Sequence, residues 1–285
     1  MLGLQQPPGA VGDPPEVVSP AVAVCLLGPV DVVVDGRRRA VSGLRRRALL
    51  AALALKPGVV VSNDRLIDVV WSGRPPATAQ NTLQAHVSYL RRALGSRHAI
   101  VARAPGYVLD LHGKYTDVQV AKALITDSQR AAGPRKVAKL LRQALGMWRG
   151  RSLADLRDLA WFTDEAKRLE NMRRTAERAL IEAQMTLGEH ACLVGELEQL
   201  SEQHPFDEDL HRQLMLALYR SGRQADALNV YRRLQSRLDA DLGLEPAAKL
   251  RDLHVGILRQ DSTLDIHTDR NHGRLNGGVV RLGVS

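Results

Sequence analysis

Two kinds of hydrophobic pattern follow one another along the chain. The first third opens with β-branched runs around 22–27 and 30–34, and the Asp35-Gly36 pair is typical of a hairpin turn. Apolar positions with helical spacing follow at 44–55, in a segment capped near Ser62 that runs to about residue 71, and at 77–94. Two short strands around a Pro-Gly turn are predicted within 99–111. The order is therefore a sheet, three helices and a hairpin.

From Asp117 onward the pattern is helical almost throughout. The predicted helices cover 117–131, 135–148, 161–187, 190–203, 208–221, 224–240 and 246–259. Within them, Leu187–Leu200 lies 34 residues before Ser221–Leu234, and the alignment pairs Gly188 with Gly222. A 34-residue period with a glycine turn is typical of tetratricopeptide repeats, which stack helical hairpins.

These patterns predict a mainly α protein with two domains, which its 285 residues allow. An N-terminal winged helix-turn-helix (α+β) is expected at 20–112, followed by an all-α tetratricopeptide-like domain at 117–260. The segments 1–19 and 261–285 are predicted to be disordered, because they are rich in glycine, proline and polar residues.

Composition and motifs indicate where the protein acts and which kinds of site it lacks. Cys25 and Cys192 lie in apolar-periodic stretches far apart, which predicts two buried thiols in a reducing compartment. The N-terminus lacks the features of a signal peptide, and no apolar run is long enough to span a bilayer, so a cytoplasmic, nucleoid-associated location is expected. No spacing typical of a metal, cofactor or catalytic site is present, so we expect no cofactor, no metal and no enzymatic activity.

The positive charge is concentrated in one part of the chain. The net charge is +9, and residues 20–112 carry 13 lysines and arginines against 5 aspartates and glutamates. Such a concentration favours binding to a polyanion, because phosphates neutralised by cations release counterions. A solvated basic surface without a ligand explains the charge equally well.

The helix predicted at 77–94 has one face suited to reading DNA. Leu83, Val87, Leu90 and Leu94 form its core stripe. The opposite face carries small and polar side chains that read bases or grip phosphates, and His86 and Arg91 flank it. Its members are Thr78, Asn81, Thr82, Ala85, Ser88, Tyr89 and Arg92. The alternative is an ordinary amphipathic helix with a solvated polar face.

The surrounding elements favour the DNA-reading interpretation. A capped helix, a turn and a second helix with a polar face form a helix-turn-helix, whose second helix enters the major groove. Arg103, beside the Pro-Gly turn, is predicted to lie on a wing near the minor groove. Arg45, Arg46 and Arg47 sit at a helix start, where the dipole disfavours cations, so we expect them to bind an external anion such as DNA phosphate. Three solvated arginines are the alternative.

The sequence resembles a known family of regulators over about residues 22–260. Segments such as NTLQAHVSYLRRALG and VARAPGYVLDL are similar to the OmpR/PhoB-type winged helix of the Streptomyces antibiotic regulatory protein family. The segments ALGMWRGRSLADL and HPFDEDLHRQLMLALYRSGRQADALNVYRRL resemble that family's bacterial transcriptional activation domain. By this resemblance, the DNA-contacting positions are Trp71, Asn81, Thr82, His86, Ser88, Tyr89, Arg91 and Arg103.

The resemblance implies a transcriptional activator of a secondary-metabolite (antibiotic) gene cluster. Its partners would be double-stranded promoter DNA with direct repeats, a second protomer bound in tandem, and RNA polymerase holoenzyme with its sigma factor. Three alternatives stay open. They are a repressor with the same DNA-binding domain, a helical-repeat interaction scaffold, and a small-molecule sensor or enzyme built on the helical half.

Overall fold

A computed structural model describes residues 22–265, which divide into two compact units. The first unit contains residues 22–131 and 139–177, and the second contains residues 132–138 and 178–265. The segments 1–21 and 266–285 lie outside the described residues, and with them all of the first predicted disordered segment and most of the second.

Two small sheets and three helices make up the first part of unit one. The strands β1 (Val22–Cys25), β2 (Asp31–Val34) and β3 (Arg37–Ala40) precede α1 (Leu44–Ala54), β4 (Val61–Ser62), α2 (Asn63–Trp71) and α3 (Ala79–Ala93). The strands β5 (Ile100–Arg103), β6 (Gly106–Leu109) and β7 (Tyr115–Thr116) complete the sheets. One sheet has the order β3-β2-β1-β7, with β7 parallel to β1, and the other has the order β4-β6-β5.

Seven further helices follow. They are α4 (Asp117–Arg130), α5 (Pro134–Leu145), α6 (Ala160–Thr186), α7 (His190–Gln203), α8 (Glu208–Arg220), α9 (Gln224–Leu242) and α10 (Ala248–Arg259). A 3-10 turn at Ser262–Leu264 falls at the start of the segment 261–285, and the Leu264 carbonyl accepts a hydrogen bond from Arg220 Nε. The predicted winged helix and tetratricopeptide-like helices are confirmed as the fold class.

The core of unit one joins the winged helix to the helices that follow it. Helix α1 is buried from Ala48 to Ala54, and its alanines and leucines pack in one cluster with α2, α3 and both sheets. The same cluster contains Val118, Trp148 and Phe162 from beyond the winged helix. The hydrophobic core therefore continues across the predicted boundary at 112–117.

A buried carboxylate fixes this junction. Asp117 at the start of α4 accepts hydrogen bonds from the backbone N–H groups of Leu26 and Leu27, at 2.8–2.9 Å. Burial raises the pKa of Asp117, while these donors and Arg149 oppose the shift. Arg149 in turn forms an ion pair of 2.8 Å with Asp31. The ends of β1 and β2 are thus tied to two segments that follow the winged helix.

Unit two has its own core, built on the predicted repeat. Gly188 and Gly222 both adopt the left-handed conformation, with φ of 84° and 78°, two positions before the first residues of α7 and α9. The residues that pack between the helices include Leu193, Leu214 and Leu234. Equivalent glycine turns therefore start successive helical hairpins, as the 34-residue period predicts.

Two features differ from the sequence prediction. Cys25 is buried, but Cys192 is exposed, so the prediction of a second buried thiol is wrong. Helix α7 turns Leu193 and Val194 inward and leaves position 192 on its outer face. The two-residue strands β4 and β7 were also not predicted, because a run that short has no detectable period.

Within residues 22–265, no helix combines the length and apolar character needed to cross a membrane. The same part of the chain holds no group of three or more histidine, cysteine, aspartate or glutamate side chains placed to bind a metal ion.

Candidate nucleic-acid interface

Helices α2 and α3 form a helix-turn-helix with one face of α3 directed outward. The Ser62 hydroxyl caps α2 by accepting from the Arg65 N–H. In α3, the side chains of Leu83, Val87 and Leu90 are buried in the core, as predicted. Leu94, which was predicted to join them, is only half-buried. This packing fixes which face of α3 meets solvent.

The exposed face of α3 contains most of the predicted base-reading residues. Thr78, Asn81, Ala85, Ser88 and Arg92 are exposed, and Thr82 is half-buried. The hydroxyls of Thr82 and Ser88 donate to the backbone carbonyls of Thr78 and Gln84, four residues earlier. Those hydroxyls therefore face an approaching ligand mainly as acceptors. The Asn81 amide has no side-chain partner among the described residues, so it can both donate and accept.

The first turn of α1 provides a second positive feature. Its N-cap, Gly43, supplies no side-chain capping bond, and the first turn contains no acidic residue. The free N–H groups and the positive end of the helix dipole therefore attract anions. Arg45 lies here with its guanidinium 5.7 Å from the Trp71 ring centroid.

The other two arginines of this turn already have partners within unit one. Arg47 forms an ion pair of 2.9 Å with Asp155. The Arg46 guanidinium lies 4.0 Å above the Tyr89 ring, and both side chains hydrogen-bond to the Ser42 hydroxyl. Arg45 is thus more available to an external anion than Arg47, whose charge an internal carboxylate balances.

Trp71 and His86 form a stacked pair beside this turn, with ring centroids 6.3 Å apart. Trp71 is only 7% exposed and belongs to the core cluster. Its Nε1 and the Nε2 of His86 are buried without a hydrogen-bond partner among the described residues. Burial, and to a lesser extent Arg46 and Arg45, lowers the pKa of His86. The pair therefore offers one unsatisfied donor and a neutral imidazole near Arg45.

The β5–β6 hairpin forms the predicted wing. Arg103 pairs with Gly106 across the turn, is exposed, and has no ion-pair or hydrogen-bond partner in the described part of the chain. A Cβ on Gly106 would lie 1.9 Å from the Val61 carbonyl oxygen, so only glycine lets β6 approach β4 this closely. Arg91 lies nearer the core, because its Nε donates to the Ile100 carbonyl at 2.8 Å.

Some exposed polar residues were not among the predicted site residues. Gln80 and Gln84 are exposed on the flank of α3, and their side chains suit hydrogen bonding to adenine. A wider arc on the helical wheel would have included Gln84. Arg37, Arg38 and Arg39 are all exposed on the edge strand β3. Their RRR run was visible in the sequence but was not named as part of the site.

Comparison with known protein families agrees with this geometry. The model "Transcriptional regulatory protein, C terminal" matches residues 42–109, and "Bacterial transcriptional activator domain" matches residues 116–258. The regulatory protein DnrI of Streptomyces peucetius is 36% identical over 253 residues, which cover 84% of this chain and 93% of DnrI. The chain belongs to the Streptomyces antibiotic regulatory protein family. It is a DNA-binding transcriptional regulator.

Other relatives also match most of this chain. The transcriptional regulator RedD of Streptomyces coelicolor is 34% identical, with 86% of this chain and 73% of RedD covered. EmbR of Mycobacterium tuberculosis is 36% identical over 82% of this chain, but the match spans only 63% of EmbR. The solved structure of M. tuberculosis EmbR in complex with a low-affinity phosphopeptide superimposes with a TM-score of 0.77 at 35% identity, covering 85% of this chain and 66% of EmbR.

Proposed function

We propose that this regulator activates transcription by binding direct repeats in a promoter and recruiting RNA polymerase. The exposed face of α3, with its free amide at Asn81 and its small residue at Ala85, is the single observation that supports base reading most. The DnrI and RedD relatives favour a secondary-metabolite gene cluster as the target. The regulator acts in the cytoplasm at the nucleoid and carries no enzymatic activity.

Three groups of residues have distinct roles in this proposal. Residues of the α3 face enter the major groove and read base edges. Arg45, whose guanidinium lies over the buried Trp71 ring, approaches the phosphate backbone near the start of α1. Arg103 on the wing reaches the adjacent minor groove or its phosphates. Arg46, Arg47, Tyr89 and Arg91 position these groups through the internal contacts described above.

Activation is proposed to depend on contacts outside the DNA surface. Two protomers bind neighbouring repeats, and the helical domain at 117–260 contacts the polymerase holoenzyme, including its sigma factor. The match of residues 116–258 to an activator domain supports this assignment. Repression is the competing function, because the same DNA-binding surface would serve it.

The test uses the full chain and purified polymerase. Footprinting on the upstream regions of neighbouring genes is expected to reveal protected repeats, and run-off transcription from that promoter should increase when the regulator is added. Lower transcription at full occupancy would show a repressor. Equal binding to scrambled DNA would contradict sequence-specific recognition.

Arg103→Ala is expected to weaken DNA binding and to reduce the salt dependence of the binding constant. One lost phosphate contact lowers the slope of log K against log salt by up to about one unit. Fluorescence anisotropy between low and moderate salt measures both quantities. Arg130→Ala removes an exposed arginine from α4 and serves as the control. An unchanged affinity and slope would remove the wing from the interface.

DNA binding is expected to tighten as the pH falls, through protonation of His86. Burial lowers the pKa of this imidazole in the free protein, whereas nearby phosphates would raise it in the complex. Binding then takes up a proton, so affinity rises as the pH falls through the raised pKa of the complex, and it levels off below the lowered pKa of the free protein. The gain between pH 7.5 and 5.5 should be roughly threefold to tenfold.

His86→Gln should remove most of this pH dependence, while His98→Gln, which changes an exposed histidine after α3, should retain it. Anisotropy titrations at constant ionic strength measure the effect. If the slope of affinity with pH were the same in His86→Gln as in the unmodified chain, the phosphate would not lie near this residue.

A further inference from the structure

Unit two contains a long groove that the proposed DNA surface does not use. Three adjoining cavities, of about 710, 550 and 380 Å³, lie along α8. Arg212 lines all three, and Leu216 lines the second and third. The walls come from α10 on one side, with Lys249 and Asp252, and from the end of α6 on the other, with Glu182.

The floor of the groove carries two buried polar atoms that have no hydrogen-bond partner among the described residues. Arg212 Nε is buried without a hydrogen bond, and its nearest carboxylate oxygen, on Asp209, is 3.5 Å away. The side-chain oxygen of the next residue, Gln213, is also buried without a partner in the described residues. Buried polar atoms are normally hydrogen-bonded. A peptide backbone would supply both missing partners after a rotation of these two side chains, since each residue offers one carbonyl acceptor and one N–H donor.

The charge of the groove selects the kind of peptide. Three cationic side chains line the cavities: Arg212, Arg220 and Lys249. Of these, Arg220 donates a hydrogen bond from Nε to the Leu264 carbonyl. Seven carboxylates line the same cavities: Glu182, Asp207, Glu208, Asp209, Asp252, Asp261 and Asp265. Asp252 and Glu182 are exposed and have no side-chain partner among the described residues. Asp207 already pairs with Arg178, and Asp209 with Arg212, but the remaining carboxylates still outnumber the remaining cations. Such a surface attracts cations and repels acidic chains.

Apolar contacts complete the surface. Phe206 is 42% exposed at one end of the groove, where it lines the largest cavity. The half-buried Leu216 and Leu264 line the second cavity. Aromatic and aliphatic side chains at the base of a polar-rimmed groove are typical anchoring points for a peptide.

We infer that this groove binds an extended peptide segment of a partner protein that carries arginine or lysine side chains. The peptide backbone pairs with Arg212 and Gln213 on the floor, and its cationic side chains face Glu182 and Asp252 on opposite walls. The groove lies in unit two and shares no residue with the α3 face of unit one.

The test starts from a displayed library of random twelve-residue peptides selected on the immobilised full chain. Enriched peptides are expected to contain arginine or lysine together with leucine or an aromatic residue. Their affinity, measured by anisotropy with the synthesised peptide, should fall as salt is added. Selection of acidic or uncharged peptides, or no enrichment, would overturn the inference.

A matched pair of charge-reversal variants locates the site. Glu182→Lys with Asp252→Lys should weaken binding of the selected peptide at least tenfold. Glu196→Lys with Asp241→Lys makes the same change in net charge at exposed positions of unit two outside the groove, and should change affinity less than twofold. Equal losses in both variants would show non-specific attraction instead of a groove. Unchanged thermal unfolding and DNA binding confirm that each variant is folded.

Discussion

Asp117→Ala is expected to lower the free energy of unfolding of unit one by about 3–5 kcal/mol. The substitution leaves the N–H groups of Leu26 and Leu27 buried without their acceptor, and it removes a negative charge 3.7 Å from the Arg149 guanidinium. Each orphaned buried donor costs about 1–3 kcal/mol, whereas Arg149 keeps its ion pair with Asp31 and adds little to the loss. Urea unfolding followed by tryptophan fluorescence measures the loss.

The matched control is Asp127→Ala on the same helix, α4. Asp127 is exposed and has no side-chain partner in the described chain, so its removal should change stability by less than about 0.5 kcal/mol. DNA binding should fall with folding in Asp117→Ala, because α1 and β1 share one core. A stability within 1 kcal/mol of the unmodified chain would show that water replaces the carboxylate.

The elements predicted well from the sequence are those with local causes. Helix α3 follows from the spacing of Leu83, Val87 and Leu90, which are close in sequence and all buried. The turn before α9 follows from Gly222, whose positive φ suits a residue without a side chain. The fold class and the exposed α3 face were therefore predictable before any coordinates.

The contacts that the sequence did not reveal join distant parts of the chain. Arg47 and Asp155 are 108 positions apart, and no sequence pattern shows that they pair. The sequence therefore predicted that all three arginines of this turn bind an external anion, although Arg47 has an internal partner. Hydrophobic periodicity reports which face of a helix is buried but not which element covers it. The buried position of Trp71 and the orphaned His86 nitrogen depend on such tertiary packing.

Ala85→Glu is expected to abolish specific DNA binding, with a loss on the order of 100-fold or more. The methyl group lies at the centre of the exposed α3 face, so the new carboxylate would meet base edges and phosphates at close range. The fold should be unaffected, because the substituted side chain points into solvent and glutamate favours helices. Gel-shift titration on the footprinted repeat measures the loss.

Ala123→Glu introduces the same charge at an exposed position of α4 and is the control for net charge. Its DNA affinity should fall by less than about threefold, through long-range repulsion alone. Retained affinity in Ala85→Glu would mean that α3 does not enter the groove, and the DNA surface would then have to be sought at β3 or the wing.

The continuous core of unit one limits how members of this family could exchange parts. A chimera joined at residues 112–116 would pair one parent's β1 and β2 with the other parent's α4 and Arg149. It would then succeed only if the second parent supplied a matching acceptor for Leu26 and Leu27 and a matching apolar surface around Phe162. A crossover near residue 177 would instead keep these contacts within one parent. The segment that must be transferred intact to carry DNA recognition into a chimera is therefore longer than the winged helix itself.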